Sequence, residues 1–436
     1  MAELVKKYQK KFGTHSLDAI AAALNELRIR KSDGTWGFST TVSGSPFSME
    51  DVWAILPTIF EFDSSIANCG KQQIVTKAVF AIEPSESGEF KAEDLLESIN
   101  VKEREYLATS MKSFVLLSQV SVDNICKFVT RRSWKGTSFS FHRSAPKKID
   151  YGQFLRLAEK LGLPLAIRKW SYVRVKVQAR TPQEALAHGL SSLNSLRGIW
   201  NFELNRSVIH TSSSPVELPV NKIRLGPIQT VHDEEYKQVG QSFSYQPPFV
   251  STDGSFGKAT SITDAVWERL KRNEKTIRKQ LRKLKFGESF ARIITDYGNC
   301  LDTPNRDQSF LNLWTILEQL TSCGDGKQMQ HDLLVKRVCA IYSNESMVKL
   351  ILEHLRANRN QMVHHMNHSP ELNTCFFQLL GLVNQYILFH LENAGKFDSL
   401  DEAGKVLDLV KHGQLEQEFE LRKKAIVWKR ALFGTT

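Results

Sequence analysis

Arg359-Asn360-Gln361-Met362-Val363-His364 sets a guanidinium and an amide five and four positions ahead of an imidazole. Arginine is a planar, permanently charged fork that matches phosphate oxygens and stabilises charge added in a transition state. Histidine moves a proton near neutral pH. An RNA 2′-hydroxyl is an internal nucleophile beside its own phosphate, so positioning, one cation and one proton carrier suffice without a metal. A chain of this composition holds about one R-x4-H by chance, and this is the one it holds. The spacing alone therefore leaves a second reading open, a solvated helix-end arginine beside a surface histidine.

The elements expected around this stretch are helices. Residues 345–355, "ESMVKLILEHL", precede it, and a helix with Ser369 as cap and Pro370 as first residue follows, stopping near Gly395. The motif is then expected near a helix end between the two. On a regular helix five residues turn through about 500°, which leaves Arg359 and His364 about 140° apart, while Asn360 and His364 share a face. Convergence on one group needs a helix break, a bent arginine or a second subunit. Further helices are expected over 309–321, "SFLNLWTILEQLT", and in "LLVKRVCAIY".

With "SFLNLWTILEQLT", "LLVKRVCAIY" and "RNQMVHHM" in this order, the C-terminal half resembles the HEPN superfamily of ribonuclease domains, in its ApeA-like bacterial branch. The resemblance covers about residues 260 to 395, and the N-terminal half then stands where that branch carries an α/β domain. It implies a helical bundle that dimerises, pairs two R-x4-6-H motifs, and cuts RNA without a metal to leave a cyclic phosphate. Arg359 would hold phosphate, Asn360 would orient the site, and His364 would carry the proton. Glu318 matches an acidic position of the branch. The implied roles are defence against phage by abortive infection, or a toxin. Some members have no activity, so a non-catalytic dimeric scaffold that binds RNA or protein is the alternative.

Other clusters have two readings each. His354, His364, His365 and His368 include an i, i+4 pair, but no H-E-x-x-H and no neighbouring cysteine pair, so no metal is expected. Residues 131–148 interleave Arg131, Arg132, Lys135 and Arg143 with Trp134, Phe139 and Phe141. That pattern suits single-stranded RNA, through phosphates and stacked bases. It equally suits an amphipathic hairpin with one face in the core, the simpler reading. The helix expected from Ala265 carries Val266, Leu270, Ile277, Leu281 and Leu284 on one face. Its other face, with Arg269, Lys271, Arg272, Lys275, Arg278, Lys279, Arg282 and Lys283, is an RNA track or a solvated surface. There is no Walker loop, dinucleotide fingerprint or nucleophile elbow, and no cofactor is expected.

The 436 residues allow two or three domains, and the net charge of +11 favours a polyanionic partner. None of the six cysteines forms a C-x-x-C pair, which suits reduced thiols in a cytoplasmic protein. The N-terminus lacks the apolar core of a secretory signal, and 375–391 reads as a buried helix and not a membrane span. Helix is expected at 16–30, 151–163 and 181–200, with Thr181 as cap. Strand is expected at 71–83, 111–122 and 172–179, and a long loop and linker at 211–260. The expected fold class is an α+β N-terminal domain, residues 1–254, followed by an all-α helical bundle, residues 255–436. The first would sense, select or restrain, and the second would cut. The expected partners are RNA, including transfer RNA, a second copy of the chain, and a phage trigger or inhibitory protein.

Overall fold

Strand β3 (Lys112–Val120) is buried along all but its first residue. Its run Phe114-Val115-Leu116-Leu117 has no polar alternation because both sheet faces are covered. Phe114, Leu116 and Val120 face the main core, while Val115 and Leu117 pack with Tyr172, Ala145 and Tyr236 on the other side. The structure, a computed structural model, describes residues 15–32, 36–39, 48–82, 89, 91–123, 125–128, 131–148, 156, 159–160, 170–206, 220–245, 259–321, 331–365, 371–409 and 415–433.

Around β3 the antiparallel sheet runs β4 (Arg131–Trp134), β5 (Thr137–His142), β6 (Ser171–Ala179), β3, β7 (Ile228–His232) and β8 (Gln238–Tyr245). Leu116 faces Val175 on one side and Val231 on the other. A two-stranded ribbon, β1 (Arg28–Arg30) with β2 (Trp36–Phe38), forms a separate sheet. Helix Pro182–Asn205 follows β6 and lies on the main-core face, with the Thr181 hydroxyl accepting from the Glu184 amide, as the cap expectation has it. Helices His15–Leu27, Met49–Ile59, Asn68–Ala81 and Ala92–Ala108 enclose a second core.

Three expectations fail here. The helix expected at 16–30 stops at Leu27, and Arg28–Arg30 form a strand. Of the strand expected at 71–83, residues 71–81 belong to helix Asn68–Ala81. Ile74, Val75, Ala78 and Val79 are all buried at helical spacing, and that period outweighs β-branched content, which is a weak preference. The expected loop at 211–260 contains β7 and β8; β7 is buried throughout and takes its place by pairing with β3, a long-range contact that local composition does not carry. Most of 151–163 lies outside the described residues.

From residue 264 onward every described element is a helix: Asp264–Lys283, Gly287–Asp302, Arg306–Thr321, His331–Cys339, Glu345–His365, Leu372–Glu392, Leu400–Leu409 and Leu415–Phe433. Among the described residues the strands thus end with β8, and only helices follow residue 264. The expected boundary at 254 lies outside the described residues, and the buried side chains on its two sides form one continuous core. Trp200 meets Trp267 edge to face at 5.8 Å. Helices 182–205 and 287–302 cross at Gly198 and Gly298, where a Cβ on Gly198 would sit 2.6 Å from the Ile294 carbonyl oxygen. Buried polar groups bind the same seam. Arg197 donates to Asp302 (2.8 Å) and to the Ile223 carbonyl (2.9 Å), and Asn221 donates to Asp302 (2.7 Å).

Helix 372–392 packs against helices 306–321, 345–365 and 264–283. It ends at Glu392, with Gly395 at φ 90° just beyond, close to the expected stop. It is long and apolar enough to cross a membrane, and 61% of its most apolar window is buried inside the fold.

Candidate functional site

Helix 345–365 buries Val348, Leu352, Leu355, Asn358 and Met362 at spacings of three and four, which turns one stripe into the bundle. The helix is continuous through His365, so 359–364 occupies its last two turns and not a link between helices, as the sequence suggested. Of the three routes to convergence, a helix break is removed, and positions 359 and 364 stand about 140° apart round one axis. The His364 side chain, Ser369 and Pro370 lie outside the described residues. The following helix is described from Leu372, with Glu371 before it.

Arg359 and Asn360 are half-buried, and Arg359 Nη1 donates to Asn360 Oδ1 at 3.3 Å. The amide therefore holds the arginine fork, as an orienting residue would. Among the described residues no carboxylate pairs with Arg359. One turn back, His354 Nε2 lies 3.3 Å from Cys375 Sγ and 3.5 Å from Glu371 Oε2. Burial pushes the Cys375 thiol pKa up, so the thiol is not poised as a nucleophile. Asn358 Nδ2 donates to the His354 carbonyl at 3.0 Å. Glu318 accepts from the Trp314 indole of its own helix at 2.8 Å, an anchoring contact within that helix. Among the described residues no three His, Cys, Asp or Glu side chains are grouped to hold a metal. None of Cys69, Cys300, Cys339 and Cys375 is in a disulfide.

The two basic segments, 131–135 and 275–282, come together. The β4–β5 hairpin packs its turn against helix 264–283, and Glu274 joins them. This buried carboxylate accepts from the Trp200 indole (2.8 Å) and from Arg132 Nε (3.3 Å), and Arg278 Nε stands 3.0 Å away in ion-pair contact without hydrogen-bond alignment. Arg278 also donates to the Ser133 carbonyl and lies over the Trp134 ring, 4.9 Å from its centroid.

The hairpin is amphipathic. Trp134, Phe139 and Phe141 point into the core, and Trp134 is 9% exposed. Trp134 is therefore not an open stacking platform, and Arg132 and Arg278 are committed to Glu274. Arg131, Lys135, Lys275, Lys279 and Arg282 are exposed. Sequence reasoning missed Glu274, although an acid on the buried stripe of a basic helix, between Leu270 and Ile277, was a legible signal. It also missed Lys285 and Glu288, which line the same cleft as Lys135.

Comparison with protein-family models, with curated proteins and with solved structures finds no match to this chain.

Proposed function

We propose that the chain is a metal-independent endoribonuclease of HEPN type, acting at Arg359, Asn360 and His364. The observation that carries the reading is Arg359. It is a half-buried guanidinium, oriented by Asn360, with no carboxylate partner among the described residues. Such a group is suited to an anion from outside the fold. The RNA 2′-oxygen attacks phosphorus while its proton passes to His364, and the bond to the 5′-oxygen breaks as that oxygen takes a proton from water, to which His364 returns its own. Arg359 neutralises charge on the phosphoryl oxygens. The products are a 2′,3′-cyclic phosphate and a 5′-hydroxyl.

With the helix unbroken from 359 to 364, one phosphate is served either by an arginine bent toward Asn360, which shares a face with position 364, or by the arginine and histidine of two copies of the chain. The working form in this proposal is the second, a dimer through the helical half, as the HEPN resemblance implies. The sheet half restrains the nuclease or selects RNA, in a cytoplasmic role in defence against phage or as a toxin. The same unbroken helix favours the scaffold reading if no dimer forms.

The test is cleavage of total and transfer RNA by purified protein in EDTA, with wild type beside Arg359→Ala and His364→Ala. Loss of about a hundredfold or more in both variants supports the nuclease, the usual scale for removing a general acid–base or an electrostatic group. Equal cutting by all three overturns the motif. No cutting by any, with no growth arrest on expression of wild type, supports the scaffold.

A further inference from the structure

A cleft of about 590 Å³ opens between the β4–β5 turn and helices 264–283 and 287–302. Lys135, Arg278, Arg282 and Lys285 line it against one carboxylate, Glu288, over an apolar floor of Leu281, Leu284 and Ala291. Its volume lies in the range of small-ligand sites. Lys135 reaches Glu288 at 3.2 Å and Lys285 reaches Asp398 at 2.7 Å, both between exposed groups that water already screens.

The turn that delivers Lys135 goes against local preference. Trp134 faces Thr137, so Lys135 and Gly136 form a two-residue hairpin turn, with φ 45° and 77°. Both φ values are left-handed, as in a type I′ turn, where Asn or Gly is the favoured first residue. Lysine there costs of the order of 1 kcal/mol, and such strain gathers at ligand sites. Among the described residues the ion pair of its side chain is to an 87% exposed carboxylate.

Next to the cleft, Arg272, Lys275, Lys279 and Arg282 follow at spacings of three and four on the open face of helix 264–283, a row about 15 Å long. Glu268, at the far end, is already paired with Lys271. The helix that opens at Gly287 adds its own N-terminus at the cleft, with no side-chain cap from Phe286. Repeating cations beside an apolar floor match a ligand that carries a phosphate and a flat ring in each unit. The anionic units of an acidic peptide, Asp and Glu, carry no ring of their own.

We infer that this cleft binds a nucleotide, with phosphate on Lys135, Arg282 and Lys285 and the base face on Leu281, Leu284 and Ala291. The inference shares the RNA partner of the proposed function but not its motif, so either can fail alone. The nucleotide is a unit of RNA, or it is free in solution.

The probes are a fluorescein-labelled 2′-O-methyl oligonucleotide, which lacks the attacking hydroxyl, and adenosine 5′-monophosphate as competitor. Anisotropy is read on the full chain across a salt series. We expect Arg282→Glu to weaken the oligonucleotide about tenfold or more, and Lys135→Asn to lower the salt slope by about one, the value of one lost phosphate contact. Lys135→Asn should melt no lower than wild type, since asparagine suits the turn; this separates a binding loss from a folding loss. Competition by the monophosphate identifies free nucleotide as a ligand, and its absence identifies the RNA strand. No binding by wild type, or wild-type binding and slope in both variants, overturns the inference.

Discussion

His390 allows a prediction whose size follows from its surroundings. The ring is buried among Phe286, Phe290, Tyr386 and Phe389, and Nε2 lies 3.0 Å from the Leu320 carbonyl, which can only accept. Nε2 therefore carries the proton. Nδ1 is buried with no partner among the described residues, so a second proton would place an unpaired charge in an apolar site. Burial pushes the pKa down to about 4 from an ordinary 6.5, with the Leu320 contact opposing it only in part.

The folded state thus binds fewer protons than the unfolded chain between pH 6.5 and 4. His390's contribution is fully present above pH 6.5 and is lost as pH falls through that window. At about 1.4 kcal/mol per pH unit the loss approaches 3 kcal/mol at pH 4, and it is about 2 kcal/mol at pH 5. That is a large part of a typical stability of about 5 to 15 kcal/mol. Urea unfolding at pH 8 and pH 5, on wild type and His390→Leu, reads it as a difference of differences in which other titrating groups cancel. The leucine variant should lose about 2 kcal/mol less on acidification. Equal losses in the two proteins would refute the argument.

The remaining predictions concern the seam and the site. Glu274→Ala removes the acceptor of Trp200 and Arg132 and the ion-pair partner of Arg278, and should cost about 3 kcal/mol in urea unfolding, with Glu274→Gln costing less because it still accepts from the indole; a cost under 1 kcal/mol would mean that water replaces the carboxylate. Gly198→Ala drives a Cβ at the Ile294 carbonyl and should destabilise by about 1 to 3 kcal/mol through helix displacement, with no change expected if the helices can slide apart freely. Asn360→Ala should leave the fold intact and reduce RNA cleavage less than Arg359→Ala does, since it acts by holding the arginine; cleavage rates in EDTA compare the two.

Much of the local structure was legible. The cap at Thr181, the alternation of Val173, Val175 and Val177, and the apolar stripe of helix 264–283 each follow from a short-range rule that one segment obeys alone. The motif was legible as a spacing, but its setting was not, because the end of helix 345–365 is an end effect that a few residues decide. Strands β7 and β8 hid in a stretch rich in turn residues, since β7 gains its stability by pairing with β3 more than a hundred positions away and β8 by pairing with β7.

The sequence by itself determined the net charge of +11, the helical character of the second half and the presence of one R-N-x-x-x-H run. These are properties of composition and period. Only the tertiary structure decided that Arg132 and Arg278 turn inward to Glu274 while Lys135, Arg282 and Lys285 gather at one cleft. It alone set Arg359 and position 364 on one unbroken helix. Which cations neutralise a buried acid and which meet a ligand depends on the packing of hairpin on helix, and no single segment encodes that.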